Sequence, residues 1–279
     1  MTPLQGGLRA AIESALSEEI SAATPVRGGD INDAFRLRLS SGETVFAKVN
    51  PNAPEGMFAS EVHGLGLLRS GPLHVPAMLA QHRDFLLLED LGAGAPSEEH
   101  DEALGHGLAA LHQVRSELAG CERRRGFIAT LDIDNDQTDW TTFYLRRLQS
   151  LFERSGLDAT WRLRFDALRP RVRSLLEDAP IALLHGDLWS GNVHTGRDGD
   201  PCLVDPSAYY GDPEVDLGMM HLFGGFSPRV FDAYDEGSPP RTGRSVRRVV
   251  YQLYPVLVHL LLFGQGYEGQ LDSLLRQLE

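Results

Sequence analysis

Apolar residues near the start of the chain recur at every fourth position. Leu8, Ile12, Leu16 and Ile20 follow this spacing, and the positions between them hold the charged residues of the stretch. Residues four apart lie on one face of an α-helix, so the spacing predicts an amphipathic helix over residues 8–20.

Short apolar runs in the rest of the first third have the length and composition of strands. Gly, Ser, Asn and Pro separate these runs, as expected for turns between strands. The predicted strands cover residues 22–27, 34–39, 44–50, 77–80 and 85–91, with a predicted helix at 55–69. This order predicts a five-stranded antiparallel sheet with one helix inserted between its third and fourth strands.

Beyond Ser97 the hydrophobic period becomes helical. Helices are predicted at residues 103–118, 141–154, 159–176, 227–235, 244–263 and 270–278. Residues 127–140 are polar and acidic and have no helical period. The overall pattern predicts an α+β protein with a sheet lobe at residues 1–91 and a helical lobe at 92–279. Small-molecule sites form preferentially in clefts between such lobes.

The most informative stretch, residues 183–216, carries closely spaced acids between short apolar runs. Its HGDLWSGN sequence has the HxDxxxxN spacing of a protein-kinase catalytic loop, which makes Asp187 the candidate base and Asn192 a candidate magnesium ligand. Asp205 follows an apolar run and takes the second metal position, although the next residues are Pro-Ser rather than Phe-Gly. Any one of these residues is equally explained by a turn, because Asp, Asn and Gly are ordinary turn formers. The combination favours phosphoryl transfer.

Three further features fit a protein-kinase-like sheet lobe. Gly28 and Gly29 lie between predicted strands, where backbone amides can approach phosphates, although a hairpin turn explains them equally well. Lys48 lies on a strand of small and apolar residues, as a phosphate-binding lysine does, and Glu61 is its expected partner on the following helix. By analogy with kinases, Glu89 and Leu91 are expected to bound the adenine site where the lobes connect.

Composition narrows the function classes. The 279 residues carry a formal net charge of −13, which argues against binding the phosphate backbone of nucleic acids. The two cysteines are far apart and suggest neither a disulfide framework nor a zinc site. The first residues carry charge where a signal peptide would be apolar, and the apolar stretch 249–263 is too short for a bilayer. We therefore expect a cytoplasmic protein that does not bind membranes.

Several motifs together resemble those of the fructosamine-3-kinase, or ketosamine-3-kinase, family. They are HGDLWSGN at residues 185–192, DPSAYYGDPEVDL at 205–217, GFIATLDIDNDQTDW at 126–140, and the segment from the Gly pair to Lys48. The likeness extends over roughly residues 26–263, and Trp189 and the Tyr-Tyr-Gly run are its most specific parts. The family shares the protein-kinase-like fold of aminoglycoside phosphotransferases and choline kinases.

The resemblance implies ATP- and Mg²⁺-dependent phosphorylation of the 3-hydroxyl of ketosamines, which are sugar adducts of amines such as protein lysines. The phosphorylated adduct then sheds its sugar and the amine is repaired. The resemblance also implies that Trp189 bounds the sugar pocket, although a core aromatic is an equal alternative. His185 is expected to hold the catalytic loop by hydrogen bonding. Asp216 is expected to anchor that loop, and Glu214 either to do the same or to reach the substrate amine.

One departure from the family concerns the Gly-rich loop. Many members have a Cys there that is associated with an interchain disulfide, whereas this chain has Gly29-Asp30-Ile31. A monomer is therefore expected rather than a disulfide-linked dimer, and Asp30 must point away from the phosphates or be offset by a cation.

Two other functions remain open from the sequence. One is a kinase of the same fold with an aminoglycoside, choline or another small alcohol as acceptor, because an acidic cleft suits any cationic amine. The other is a nucleotide-binding scaffold without catalysis, although the presence of Asp187, Asn192, Asp205 and Lys48 argues against it.

Overall fold

The computed structural model describes residues 4, 6–26 and 31–279. Within them, five strands form an antiparallel sheet in the order β1-β2-β3-β5-β4, as the apolar runs predict. The strands are β1 (Ile20–Val26), β2 (Asp33–Leu39), β3 (Thr44–Val49), β4 (Met78–Gln81) and β5 (Phe85–Glu89). The expectations for Gly28, Gly29 and Asp30 fall on residues outside the described part of the chain.

Two helices accompany the sheet, α1 (Gly6–Leu16) and α2 (Met57–Leu68). The predicted first helix is wrong at its end, because the helix stops at Leu16 and Ser17 adopts a positive φ of 56°. Ile20 instead begins β1, where it is buried in the same hydrophobic cluster as Ile12. The four-residue spacing continues past the helix because both elements contribute to one core.

The remaining helices pack together beyond the sheet. They are α3 (Glu98–Leu111), α4 (Trp140–Arg154), α5 (Ala159–Leu176), α6 (Glu214–Phe223), α7 (Pro228–Gly237), α8 (Arg244–Phe263) and α9 (Glu268–Leu278). The prediction of a helix at 103–118 is wrong at both ends. Ser97 caps α3 by accepting the backbone N–H of His100, and Asp101 adds negative charge to its first turn, so the helix begins before its apolar stripe does.

Six further short strands occur among the residues that the structure describes. They are β6 (Arg125–Ile128), β7 (Leu131–Asp134), β8 (Ala182–Leu184), β9 (Val193–Thr195), β10 (Pro201–Leu203) and β11 (Tyr209–Gly211). They pair antiparallel as β6 with β7, β9 with β10, and β8 with β11. The β6–β7 hairpin lies in the acidic segment that showed no helical period, and most of its acids point outward beside Arg124, Arg146 and Arg154.

The centre of the helical region is α8. It is long and apolar enough to cross a membrane, but more than half of it is buried within the fold, which is how a core helix behaves. Pro255 lies inside this helix and has no N–H to donate to the carbonyl of Tyr251. The Tyr144 hydroxyl donates to that carbonyl instead, at 3.2 Å, so packing of α4 replaces the lost hydrogen bond.

Candidate active site

Two short ladders bring the ends of residues 183–216 together. β8 pairs with β11, and the β9–β10 hairpin returns the chain to the turn that follows β8. The backbone N–H of Val204 donates to the carbonyl of Asn192 at 3.0 Å, and that of Ser207 donates to the carbonyl of His185 at 3.0 Å. The stretches that contain Asp187 and Asp205 are therefore held side by side.

Lys48 connects this region to the sheet. Its ammonium lies 2.5 Å from Glu61 on α2 and also forms an ion pair with Asp205, which is 157 residues away in sequence. Lys48 is buried on β3, whereas the side chain of Asp205 is 47% exposed. Burial favours the neutral amine, but the two carboxylates outweigh it and raise the pKa of Lys48. The Lys48 ammonium thus lies between one largely buried carboxylate, Glu61, and one half-exposed carboxylate, Asp205.

Asp187 is partly buried beside these groups. The side-chain amide of Asn192 donates to the Asp187 carbonyl at 2.7 Å and to its carboxylate at 3.2 Å. Burial, together with the negative charge of nearby Asp205, raises the pKa of Asp187 to about 7. A carboxyl group with a raised pKa is a stronger proton acceptor when ionised, as a general base requires.

His185 and Asp216 support the turn that carries Asp187. Asp216 is buried and accepts the backbone N–H groups of His185 and Gly186, at 2.8 and 2.9 Å. His112 lies 3.2 Å from the same carboxylate. Burial disfavours the charged form of Asp216, but the hydrogen bonds from His112 and from the Gly186 N–H help to outweigh burial, and the pKa of Asp216 is lowered. His185 donates from Nε2 to the carbonyl of Val204 at 2.9 Å and accepts the N–H of Asp187 at Nδ1.

Glu214 occupies a different environment. Its carboxylate accepts two hydrogen bonds of 2.7 Å from Arg247 and one of 3.1 Å from Arg241, and it is almost fully buried. Both oxygens are therefore taken, which does not support the expectation that Glu214 reaches the substrate amine. Neighbouring Asp212 is also buried; it accepts from Arg241 and from the Tyr251 hydroxyl at 2.6 Å.

The arginines of this cluster were missed by the sequence reasoning. Arg241 and Arg247 flank the start of α8, 29 and 33 residues from their acidic partners. The one available signal was an acidic pair, Asp212 and Glu214, within a largely apolar stretch, since buried acids require cationic partners.

Trp189 is exposed next to Asp187. Its side chain is 43% exposed, which is unusual for so large an apolar group, and its ring lies over Gly191 so closely that a β-carbon there would overlap it. An exposed ring beside the candidate base is more consistent with a wall of a substrate pocket than with a core aromatic.

The connection between sheet and helices contains Glu89 and Leu91. Glu89 accepts the backbone N–H of Ala77 at 3.0 Å, and the carbonyl of Leu91 accepts the N–H of Arg197 at 3.0 Å. In the described part of the chain the Leu91 N–H has no hydrogen-bond partner, so it is the group of this pair that could donate to an adenine edge.

Magnesium would fit this donor set. Among the described residues no group of three or more His, Cys, Asp or Glu side chains could hold a metal without help. Mg²⁺ is bound by one or two protein oxygens plus substrate phosphates and waters. Asp205 offers a partly exposed carboxylate, and Asn192 uses its amide N–H groups on Asp187, which leaves its side-chain oxygen as an acceptor.

Comparison with known proteins places the chain in a family. The family model described as fructosamine kinase matches residues 8–279. The chain belongs to the fructosamine kinase family. A protein of Enterococcus faecium named "Probable ketoamine kinase" is 37% identical over 263 residues, covering 90% of this chain and 93% of that protein. A chloroplastic protein-ribulosamine 3-kinase of Oryza sativa subsp. indica is 31% identical over 284 residues, covering 94% and 81%.

Solved structures agree on the fold of this fructosamine kinase family member. A protein of Thermobifida fusca YX-ER1, named as a candidate fructosamine-3-kinase, superposes with a TM-score of 0.87 at 31% identity and covers 97% of this chain and 98% of that one. The streptomycin–ATP complex of the phosphotransferase APH(2'')-IIa gives 0.64 at 16% identity, covering 99% and 97%. The predictions of a kinase and of a protein-kinase-like fold are confirmed.

Proposed function

We propose that this protein transfers the γ-phosphate of ATP to the 3-hydroxyl of ketosamines, with ribulosamine, erythrulosamine or fructosamine adducts as the sugars. The observation that carries the proposal is the convergence of Lys48, Glu61 and Asp205 beside Asp187 and Asn192. Membership of the fructosamine kinase family and the ribulosamine 3-kinase among its relatives support the choice of acceptor.

The residues have separate tasks in this proposal. Lys48, held by Glu61, binds the phosphates, and Leu91 and Glu89 bound the adenine. Asp187 takes the proton of the 3-hydroxyl while the oxygen of that hydroxyl bonds to the γ-phosphorus and the bond from phosphorus to the β,γ-bridging oxygen breaks, which releases ADP. Asn192 and Asp205 would hold magnesium, which neutralises charge on the phosphates when bound. Gly28 and Gly29 stay predicted phosphate contacts outside the described residues.

The biological consequence would be repair of glycated amines. A 3-phosphorylated ketosamine is less stable than its parent, so loss of the phosphorylated sugar restores the free amine. The acceptor would be a small ketosamine or a glycated protein, and we expect a monomer in the cytoplasm. The helical region, residues 92–279, would supply the acceptor site, and residues 1–91 the nucleotide site.

An acceptor panel tests this function. Purified protein with Mg²⁺-ATP is offered ribulosamine, erythrulosamine and fructosamine adducts, an aminoglycoside and choline, and ADP release is followed for each. We expect turnover with at least one ketosamine and phosphate on its 3-oxygen, as assigned by NMR. Turnover of only the aminoglycoside or choline would overturn the acceptor, and no Mg²⁺-dependent turnover with any acceptor would favour a non-catalytic scaffold.

A further inference from the structure

Four rings form a partly exposed group where α6 and α8 end. Phe223 closes α6, and its ring centroid lies 4.6 Å from that of His259 on α8. His259 in turn lies 5.4 Å from Phe263 and 5.1 Å from Tyr267. Phe263 is 52% exposed, and the other three rings are only partly buried. We call these four residues the aromatic surface; contiguous exposed apolar area of this kind marks binding sites.

The loop that follows Phe223 contacts the catalytic turn, which we define as residues 185–192. Gly225, two residues after Phe223, packs against Ser190 so closely that a β-carbon at Gly225 would overlap its hydroxyl. Ser190 directly follows Trp189, the exposed ring beside Asp187. The Gly225–Ser190 contact therefore joins two segments that each carry an aromatic residue: Trp189 on the catalytic turn and Phe223 at the end of α6.

The chemistry of this surface suits an alkyl chain or a cation. His259 donates from Nδ1 to the carbonyl of Pro255 at 2.8 Å, and burial lowers the pKa of His259, which favours the neutral ring. Arginines in the described part of the chain stack on other rings, such as Tyr209 and Tyr234, and on none of these four. Aromatic ring faces attract cations, and the net charge of −13 attracts cationic amines.

We propose that the aromatic surface binds the amine carrier of the substrate, namely the alkyl chain of a glycated lysine and the peptide that flanks it. The inference rests on the proposed function, since a sugar placed with its 3-hydroxyl at Asp187 must direct its amine and carrier out of the cleft. The rings beyond Trp189 then cover the carrier, and a lysine within a peptide makes contacts that a small amine cannot make.

Paired substrates test the carrier site. One is the ribulosamine of a small alkylamine and the other the same ribulosamine on lysine in a short peptide. For Phe263→Ser and for Tyr267→Ser we expect KM for the peptide to rise about tenfold. Each substitution removes the hydrophobic contact that a partly buried aromatic side chain would make with the peptide. The kcat for the peptide, and both constants for the alkylamine substrate, should stay at wild-type values.

Matched controls separate binding from folding. Phe263→Tyr keeps the ring and should keep a wild-type KM for the peptide. Leu163→Ser removes a side chain that is 68% exposed on α5 and should change neither substrate. Equal changes for both substrates, or no change for either, would overturn the carrier site while leaving the proposed function intact. Wild-type protein that phosphorylates neither substrate would overturn both proposals.

Discussion

Two groups of acids from one stretch of sequence end in opposite environments. At the candidate active site, Asp187 and Asp205 are partly exposed, and a single ammonium, that of Lys48, pairs with both Asp205 and Glu61. Asp212 and Glu214 are buried instead, and a guanidinium pairs with each carboxylate. Charge that is left incompletely paired can act on a ligand, whereas charge that is fully paired holds helices together.

The largest effect is expected for a substitution at the candidate active site. Asp187→Asn keeps the shape of the side chain but cannot accept the proton of the acceptor hydroxyl. We expect kcat to fall by about 10²–10⁴-fold while ATP binding survives, because the base acts on the hydroxyl and not on the nucleotide. Steady-state kinetics and calorimetric titration with ATP measure the two quantities. Near-normal turnover of a ketosamine would show that Asp187 is not the base.

The buried group should respond in stability instead. Glu214→Gln leaves Arg247 without a carboxylate partner in a buried position, and breaking such a pair costs about 3–5 kcal/mol. Urea denaturation should show this loss in the free energy of unfolding, with kcat per folded molecule little changed at low temperature. A higher KM or a lower kcat at an unchanged free energy of unfolding would instead mean that Glu214 contacts substrate.

Glu61 combines features of both groups of acids: it is largely buried, but it pairs with Lys48 at the candidate active site. Glu61→Gln keeps a hydrogen-bond acceptor for Lys48 but removes the charge, and a hydrogen bond to a charged group contributes about 1.5–3 kcal/mol. We expect kcat/KM for ATP to fall by roughly ten- to 150-fold, the factor equivalent to that energy. The matched control Glu55→Gln, two residues before α2, should leave that constant unchanged.

The smallest effect is expected for exposed pairs. Arg124 contacts Asp134 at 3.7 Å and Asp136 at 3.8 Å beside the β6–β7 hairpin, and its side chain is exposed. Arg124→Gln should change the free energy of unfolding by about 0–1 kcal/mol and leave kinetics unchanged, because exposed ion pairs are screened by water and salt. If the free energy of unfolding fell as much as is expected for Glu214→Gln, the exposure of an ion pair would not determine how much it contributes to stability.

Local sequence was sufficient where the determining contacts are local. The helices at Ala159–Leu176 and Arg244–Phe263 have the predicted bounds, because each has a long apolar period. Asp158 also caps the first of them, by accepting the N–H of Thr160 at 2.8 Å. The spacing of Asp187 and Asn192 within one turn, and hence the kinase chemistry they suggest, was likewise present in the sequence.

Only the tertiary structure decided which charges meet. The ion pair of Lys48 with Asp205 depends on residues that are far apart in sequence, as do the hydrogen bonds of Arg241 and Arg247 to Glu214. The contact of the loop after α6 with Ser190 depends on the tertiary structure in the same way. Ile20 gave a helical signal and became a strand residue for the same reason. Hydrophobic period reports which face of an element is buried, but pairing and exposure follow from the neighbours that the rest of the chain brings to that face.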